Sequence, residues 1–432
     1  MNVRDYASRR LDSVRQGEVG TLLQRTGEVL GLCALVGLMT GLGVAGFERL
    51  TVNVVFEHLR RLPLAVQAAA PFVGLLMATA LLRVGGSLTP STADEYIRNY
   101  HEPEDLRLRP LGWRLAAAVA TLGTGCPGGL EGPSSYLGAE IGTAVQARFR
   151  RTLGSATTKN LMVAGAAAGV AAVFKAPATG ALFALEVPYR DDLGRHQLMP
   201  ALVGGATGYL AFVAVNGTQP LFAVTGRAPF DLRDLLGALL LGIGTGVVIR
   251  VFAALLRRAK ELQRSVPWFV TVPIAGAVLG GSVFLTHHLF GQELALGTGY
   301  DAIAWATRPA HSLTLIAVLL GVRCVGVAGS VAGGGVVGLF VPLVVAGALF
   351  GRFVGSAIGA SNLYLFVVIG ISSALGAGYR VPIAAVMFVA EATGRPGFVV
   401  PALIAAVAGD LVMGTASVSA YQTSGVHVNE YH

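Results

Sequence analysis

Charged residues are scarce in this 432-residue chain, where they make up 13% of the sequence. Soluble globular domains carry about a quarter of their residues as charged side chains, so the chain is too apolar for a water-soluble protein. Apolar residues make up 53% of the sequence and the mean hydropathy is +0.65. Stretches of roughly twenty apolar residues, each enough to cross a bilayer core, lie at 29–47, 64–82, 198–215, 236–256, 270–289, 313–331, 340–360 and 398–412. The sequence therefore predicts an all-α polytopic membrane protein.

Lysine and cysteine are also rare. Three of the 32 basic residues are lysines, and in a membrane protein the arginine clusters at 148–151 and 257–264 indicate cytoplasmic helix ends rather than a nucleic-acid partner. The three cysteines, Cys33, Cys126 and Cys324, are isolated in apolar surroundings and indicate neither a disulfide nor a metal site. The sequence has no GK[ST] phosphate loop, HExxH or GxSxG motif, so we expect no cofactor and no enzyme activity.

The domain organisation follows from the same patterns. Residues 1–28 mix arginines with acidic residues and lack the continuous apolar stretch of a signal peptide. We expect them to form an amphipathic cytoplasmic leader. A single membrane domain would span 29–432, with no soluble regulatory domain, and it would divide into one repeat at about 29–225 and a second at about 226–425.

An internal repeat supports this division. Residues 174–186 read FKAPATGALFALE and residues 379–391 read YRVPIAAVMFVAE, so both run from an aromatic and a basic residue through Pro to a Phe and a final Glu. A looser pair is GGLEGP at 128–133 and GGVVGLFVP at 334–342. We interpret the final glutamates, Glu186 and Glu391, as structural caps or interface carboxylates. The basic residues, Lys175 and Arg380, are interpreted as anchors of helix ends.

Glycine and proline are abundant, with 58 and 19 residues, and they interrupt the apolar stretches at 85–90, 123–133, 333–342 and 376–382. Irregular backbone at membrane depth is tolerated where it is buried or lines a wet cavity, and transporters build ion sites from such discontinuous helices. The interruptions therefore predict ion sites within the membrane domain.

Three of the interrupted segments suit an anion. An anion in a low dielectric needs partners that still let it leave, and backbone N–H groups at helix N-termini provide partial positive charge. Gly86–Pro90 offers the hydroxyl of Ser87, Gly129–Pro133 carries Glu131, and Gly338–Pro342 offers bare amides. A carboxylate at such a helix start is a tethered anion that protonation neutralises, so we expect Glu131 to respond to pH and voltage.

These segments resemble the motifs GSGIP, GREGP and GxFxP of the CLC family of chloride channels and chloride/proton antiporters, here in its bacterial form without cytoplasmic regulatory domains. The resemblance implies inverted repeats and a homodimer with one pathway per subunit, in a bacterial inner membrane. It also implies that Glu131 is the gate. The residues that it assigns to anion binding are the hydroxyls of Ser87 and Tyr421, the amides of Leu339 and Phe340, and the outer-site amides around Leu130 and Gly132.

The residues leave several alternatives open. Proton-coupled CLC members carry a second glutamate where this chain has Val187, which favours a passive chloride channel; the alternatives are a chloride/proton antiporter and a fluoride-selective relative. Ser87 could instead be a helix N-cap. Gly338–Pro342 could be a packing kink, and Tyr421 could belong to an interfacial aromatic belt. The predicted partners are chloride, other halides or protons, and the lipid bilayer.

Overall fold

The computed structural model describes residues 27–102, 109–149, 158–219, 221–222, 230–308, 311–360 and 362–424. The predicted leader lies outside these ranges except for its last two residues, which begin the first helix. In the described ranges the chain forms sixteen helices and no strand. They are α1 Gly27–Leu59, α2 Leu64–Val84, α3 Thr92–His101, α4 Arg109–Gly123, α5 Glu131–Arg148, α6 Thr158–Phe174, α7 Pro177–Glu186, α8 Leu198–Asn216, α9 Leu232–Ser265, α10 Trp268–Phe290, α11 Tyr300–Ala306, α12 Leu313–Ala332, α13 Phe340–Ala357, α14 Leu363–Tyr379, α15 Pro382–Thr393 and α16 Val399–Met413.

The predicted polytopic helical fold is confirmed. Among the described residues, eight helices are long and apolar enough to cross a membrane, namely α1, α2, α8, α9, α10, α12, α13 and α16, with α8 and α16 each extended by a preceding 3₁₀ turn. Each of the eight apolar stretches predicted from the sequence coincides with one of these helices. The glycine- and proline-rich interruptions coincide with the places where one helix ends and the next begins, as expected for discontinuous membrane helices.

The two repeats have matching helices. The equivalent helices α5 and α13 are both 18 residues long, and α6 and α14 are both 17 residues long. In the first repeat α6 packs against α5, α7 and α8, and in the second α14 packs against α13, α15 and α16. The same packing scheme is therefore built twice from one chain.

The glutamates that end the repeat segments cap each other's helices. The carboxylate of Glu391, near the end of α15, accepts hydrogen bonds from the amides of Ala178 and Thr179 at 2.9 and 2.8 Å, in the first turn of α7. Glu186, at the end of α7, accepts one from the amide of Ala384 at 2.7 Å, in the first turn of α15. Both were predicted to be structural caps or interface carboxylates, and these hydrogen bonds show that they are caps. Because the start of each helix meets the end of the other, α7 and α15 are antiparallel, which fits inverted repeats.

Glycines allow the closest helix contacts at the same place in both repeats. Gly138 of α5 faces Gly165 of α6, and Gly347 of α13 faces Gly370 of α14. A Cβ on any of the four would overlap the carbonyl oxygen of its partner. Small residues of this kind let membrane helices approach at backbone distance, and here they set the spacing between the helices that carry the site and their supports.

Replacing one of these glycines is expected to loosen the fold. The Cβ of a Gly370→Ala variant meets backbone rather than a flexible side chain, and overpacking of this kind costs about 1–3 kcal/mol. Gly281→Ala in α10 is the control, because nothing lies within 4 Å of its Cβ. Thermal unfolding of the detergent-solubilised protein should give a lower midpoint for Gly370→Ala alone. Equal midpoints for the two variants would show that the helix contact is not tight.

Candidate anion pathway

The pathway is built where two helix starts meet. Gly129 and Gly338 form an antiparallel bridge in which each amide donates to the other's carbonyl, at 2.9 and 2.8 Å. Two residues after each glycine a helix begins, α5 at Glu131 and α13 at Phe340. The two members of the looser sequence repeat are therefore also paired in the structure, and both contain Gly-Leu-x-x-Pro. The Gly338 segment is a helix start rather than a kink. The positive ends of two helix dipoles converge on this point.

The carboxylate of Glu131 lies at the meeting point. Its Oε1 accepts a hydrogen bond from the Phe340 amide at 2.5 Å, and the amides of Val341 and of Glu131 itself also face the carboxylate. The side chain is 2% exposed, and Oε2 has no hydrogen-bond partner among the described residues. The Phe340 amide at the start of α13 holds the carboxylate, so it occupies a place that suits a small anion.

One cavity, the Ser87 cavity, opens on one side of this carboxylate. It has a volume of about 180 Å³, and its lining includes Ser87, Leu339, Lys260 and Arg264. A second space of about 420 Å³ adjoins it, shares Ser87 and Arg264, and adds Arg83. Cationic side chains and a hydroxyl therefore face an entrance that leads to the start of α13. They are the groups that an anion requires.

Ser87 is placed in this cavity by an irregular turn. The residue has a φ of +59° and follows Gly86 with a φ of +106°, so the chain reverses sharply after α2. The next helix, α3, starts at Thr92 with Ser91 in the N-cap position. Ser87 is therefore not the N-cap of that helix, and its exposed hydroxyl faces the cavity that Leu339 also lines.

A smaller cavity, the Tyr300 cavity, lies on the other side. It has a volume of about 120 Å³ and is lined by Leu130, Tyr300, Thr298 and Glu48, among others. Phe56, in the last turn of α1 and one short turn before the start of α2, also lines it, whereas Ser87 follows the end of α2. A 21-residue helix is about 31 Å long. The two cavities thus open at opposite ends of a membrane-spanning helix, and the neighbours of Glu131 and Phe340, Leu130 and Leu339, line one cavity each.

Two buried arginines, which the sequence reading missed, hold the loops of the pathway. Arg114 donates to the carbonyl and the hydroxyl of Thr89, both at 3.2 Å, in the turn that carries Ser87. Arg323 donates to the five successive carbonyl groups of 294–298 at 2.7–3.3 Å, beside the Tyr300 cavity. An unpaired buried charge is expensive. The carbonyls offset the charge of Arg323 while fixing its loop, and Arg114 also pairs with Glu95 at 3.4 Å.

The structure does not bring all the sequence-predicted site residues together. Ser87 and Leu339 share a cavity, Phe340 contacts Glu131, Leu130 lines the Tyr300 cavity, and Gly132 packs against Gly338. Tyr421 does not line the Ser87 cavity, and it is 51% exposed. A different tyrosine, Tyr379, packs on Phe340 with ring centroids 6.4 Å apart. Sequence reasoning noted it only as the aromatic residue that opens the second repeat segment.

The two basic residues of the repeat segments act as anchors. Lys175 donates to the carbonyl of Gln219 at 3.1 Å, and Arg380 donates to the carbonyl of Arg190 at 2.9 Å and to that of Gly414. Both sit at positive φ, 52° and 59°, at the turn between two helices. These hydrogen bonds to backbone fix the two turns, as predicted, and Arg380 also pairs with Asp410 at 3.5 Å.

The fold and the site define a helical membrane protein in which a buried carboxylate lies where two helix starts meet. A model of the family described as voltage gated chloride channel matches residues 69–414, and the chain belongs to that family. It is 28% identical over 415 residues to the H(+)/Cl(-) exchange transporter ClcA of Vibrio vulnificus, covering 87% of this chain and 84% of the relative. It is 27% identical over 422 residues to ClcA of Salmonella typhi, covering 90% and 87%.

Solved structures share the fold. A slow cyanobacterial Cl-/H+ antiporter superposes with a TM-score of 0.80 at 20% identity, covering 89% of this chain and 94% of that one. A CLC-type fluoride/proton antiporter superposes with a TM-score of 0.78 at 21% identity, covering 93% and 98%. At this identity the likeness establishes the architecture, and the expectation of a CLC-type fold with discontinuous helices is confirmed.

Proposed function

We propose that this protein carries chloride across the membrane in exchange for protons, with Glu131 as the gate. The observation that carries the proposal is the Glu131 carboxylate held by helix-start amides between two cavities at opposite ends of α2. A carboxylate and a chloride ion compete for the same amides. Protonation removes the charge of the carboxylate, which weakens its hold on the amides and frees them for chloride.

The direction of the path follows from its charges. The Ser87 cavity is lined by Lys260 and Arg264, and the adjoining space by Arg83. Basic residues concentrate on the cytoplasmic side of membrane proteins, so we assign this entrance to the cytoplasm and the Tyr300 cavity to the outside. We further propose, on the family relationship, a homodimer in a bacterial inner membrane.

Proton exchange requires a carboxylate that protons reach from the cytoplasm. Residue 187 is a buried valine, but Glu186 lines a cavity of about 370 Å³ together with Asp410 and Arg190. The Arg190 amide donates to the carbonyl of Thr423 at 2.9 Å. Thr423 belongs to the segment that also contacts Asp94, beside the Ser87 cavity. The Glu186 cavity therefore opens on the proposed cytoplasmic side. We assign proton entry to Glu186.

Passive chloride flow is the second candidate. It is favoured by Val187, whose side chain cannot carry a proton and whose carbonyl accepts a hydrogen bond from Gln422 at 2.9 Å. The names of the relatives favour exchange instead, because both are called H(+)/Cl(-) exchange transporters. The fluoride/proton antiporter among the solved structures makes fluoride the anion to compare with chloride.

The reversal potential of the reconstituted protein tests the proposal. Under opposed chloride and pH gradients, we expect a potential displaced from the chloride equilibrium value toward that set by the proton gradient, because each turnover moves both ions. A potential at the chloride equilibrium value, insensitive to pH, would show that the protein conducts chloride passively and does not exchange it for protons. An absence of chloride and fluoride flux would overturn anion transport itself.

A further inference from the structure

The wider of the two spaces on the proposed cytoplasmic side has a character of its own. This space, the Arg83 cavity, has a volume of about 420 Å³, more than twice the 180 Å³ of the Ser87 cavity that it adjoins. Its lining includes Arg83, Arg264, Trp268, Gln263 and Thr271, and no carboxylate of the described residues contributes to it. It is therefore a polar, cationic space that is larger than a single chloride ion requires.

The unpaired cations line this wider space. Lys260, which lines the Ser87 cavity and not the wider one, pairs with Asp94 at 2.7 Å. Arg83 and Arg264 take part in none of the ion pairs that the described residues form. Two like charges beside one cavity repel each other, and an anion with more than one negative charge would neutralise both.

Arg83 is oriented for an anion with several oxygens. Its guanidinium lies 5.0 Å from the centroid of the Trp268 ring, a contact in which the aromatic face attracts the cation. A guanidinium presents its N–H donors as a rigid planar fork, which matches two oxygens of one phosphate group. A chloride ion is a single spherical acceptor and gains nothing from the fork. The geometry at Arg83 therefore favours a phosphate group over chloride.

The cavity lies where the apolar surface of two membrane helices ends. Arg83 belongs to the last turn of α2, Trp268 begins α10, and the two helices pack together. Beside them Val84 and Phe269 are 71% and 62% exposed, as expected of side chains that face lipid. Tryptophan is enriched at membrane–water interfaces, and basic pockets between membrane helices on the cytoplasmic side bind lipid headgroups. A phosphate group can thus arrive on a lipid or from solution.

We propose that the Arg83 cavity binds a phosphate group, of a lipid headgroup or of soluble phosphate, between Arg83 and Arg264. Arg264 and Ser87 line both spaces, so a bound phosphate group stands beside the entrance to the Ser87 cavity and slows the entry of chloride. Binding is independent of the transport reaction, and only its effect on chloride flux rests on the proposed function.

Binding is measured on the detergent-solubilised protein with two probes, inorganic phosphate by isothermal titration calorimetry and phosphatidic acid by native mass spectrometry. Arg83→Gln should weaken binding roughly 10-fold or more, because charge-assisted hydrogen bonds are lost. Arg83→Lys keeps the charge without the fork and should weaken binding less. Arg257→Gln is the control, because Arg257 is exposed near the same end of α9 and lines neither cavity. It should bind as the wild type does.

The two probes distinguish the sources of the phosphate group. Binding of phosphatidic acid alone would identify a lipid headgroup, and binding of inorganic phosphate alone would identify soluble phosphate. Whichever probe binds should also slow chloride efflux from phosphatidylcholine liposomes, when phosphatidic acid is added to the lipid or inorganic phosphate to both sides. Arg83→Gln should remove this slowing, and Arg257→Gln should retain it.

The proposal and the proposed function fail in different ways. If neither probe binds the wild type, or if Arg83→Gln binds as tightly as the wild type, the site does not exist. An equal loss in Arg83→Gln and Arg257→Gln would assign binding to the overall surface charge and overturn the site. If Arg83→Gln does not fold, wild-type affinity in Arg83→Lys overturns it. A wild-type protein that binds a probe and passes no chloride overturns the proposed function and leaves the phosphate site standing.

Discussion

Replacing Glu131 by glutamine should leave a protein that conducts chloride without responding to pH and that no longer moves protons. In the wild type the carboxylate is held by the Phe340 amide at 2.5 Å, and in the proposed function it blocks the route between the two cavities. Flux should therefore rise as the pH falls, because protonation releases the carboxylate. Glutamine resembles the protonated acid at every pH, so the variant should have constant flux across acidic and neutral pH. Chloride efflux and proton uptake in liposomes measure both effects.

Glu391→Gln is the control for this experiment. Glu391 also accepts hydrogen bonds from helix-start amides, at 2.8 and 2.9 Å, but it lies at the cap of α7, away from both cavities. It should retain pH-dependent flux and proton movement. A Glu131→Gln protein with wild-type flux and wild-type pH dependence would remove Glu131 from the gate, whatever the control shows.

The sequence was sufficient to predict what depends on local composition. Eight apolar stretches coincide with the eight membrane-crossing helices because crossing a bilayer requires about twenty apolar residues in succession. The starts of α5 and α13 could be predicted because glycine and proline interrupt apolar stretches there. Glu131 stood out because an isolated carboxylate in such surroundings is expensive. Each of these signals lies within one continuous segment of about twenty residues or fewer.

The sequence was not sufficient where distant segments meet. The contact of the Tyr379 ring with Phe340 depends on how α14 packs against α13, and no local pattern separates Tyr379 from the other tyrosines of the chain. The bridge between Gly129 and Gly338 joins two halves of the chain, and the repeat hinted at it only loosely. Arg323 looked like an ordinary residue in an apolar helix, because the carbonyls that satisfy it lie in a loop 25–29 positions earlier.

The paired caps offer a sharper test of proton entry than either residue alone. Glu186→Gln and Glu391→Gln remove equivalent carboxylates, each accepting from amides at the start of the opposite helix. A glutamine keeps one acceptor oxygen and places an NH₂ group against the second amide. Since hydrogen bonds to charged groups contribute about 1.5–3 kcal/mol, both variants should lose a similar amount of thermal stability.

Their effect on coupling should differ. Because α7 and α15 are antiparallel, Glu186 and Glu391 lie at opposite ends of the pair, and Glu186 lines the cavity with Asp410 on the proposed cytoplasmic side. Glu186→Gln should abolish proton movement while chloride still flows, and Glu391→Gln should keep the wild-type ratio of protons to chloride. A wild-type ratio in Glu186→Gln would exclude proton entry there. Loss of coupling in both variants would show that the effect comes from the lost helix caps, because that structural defect is common to the two variants.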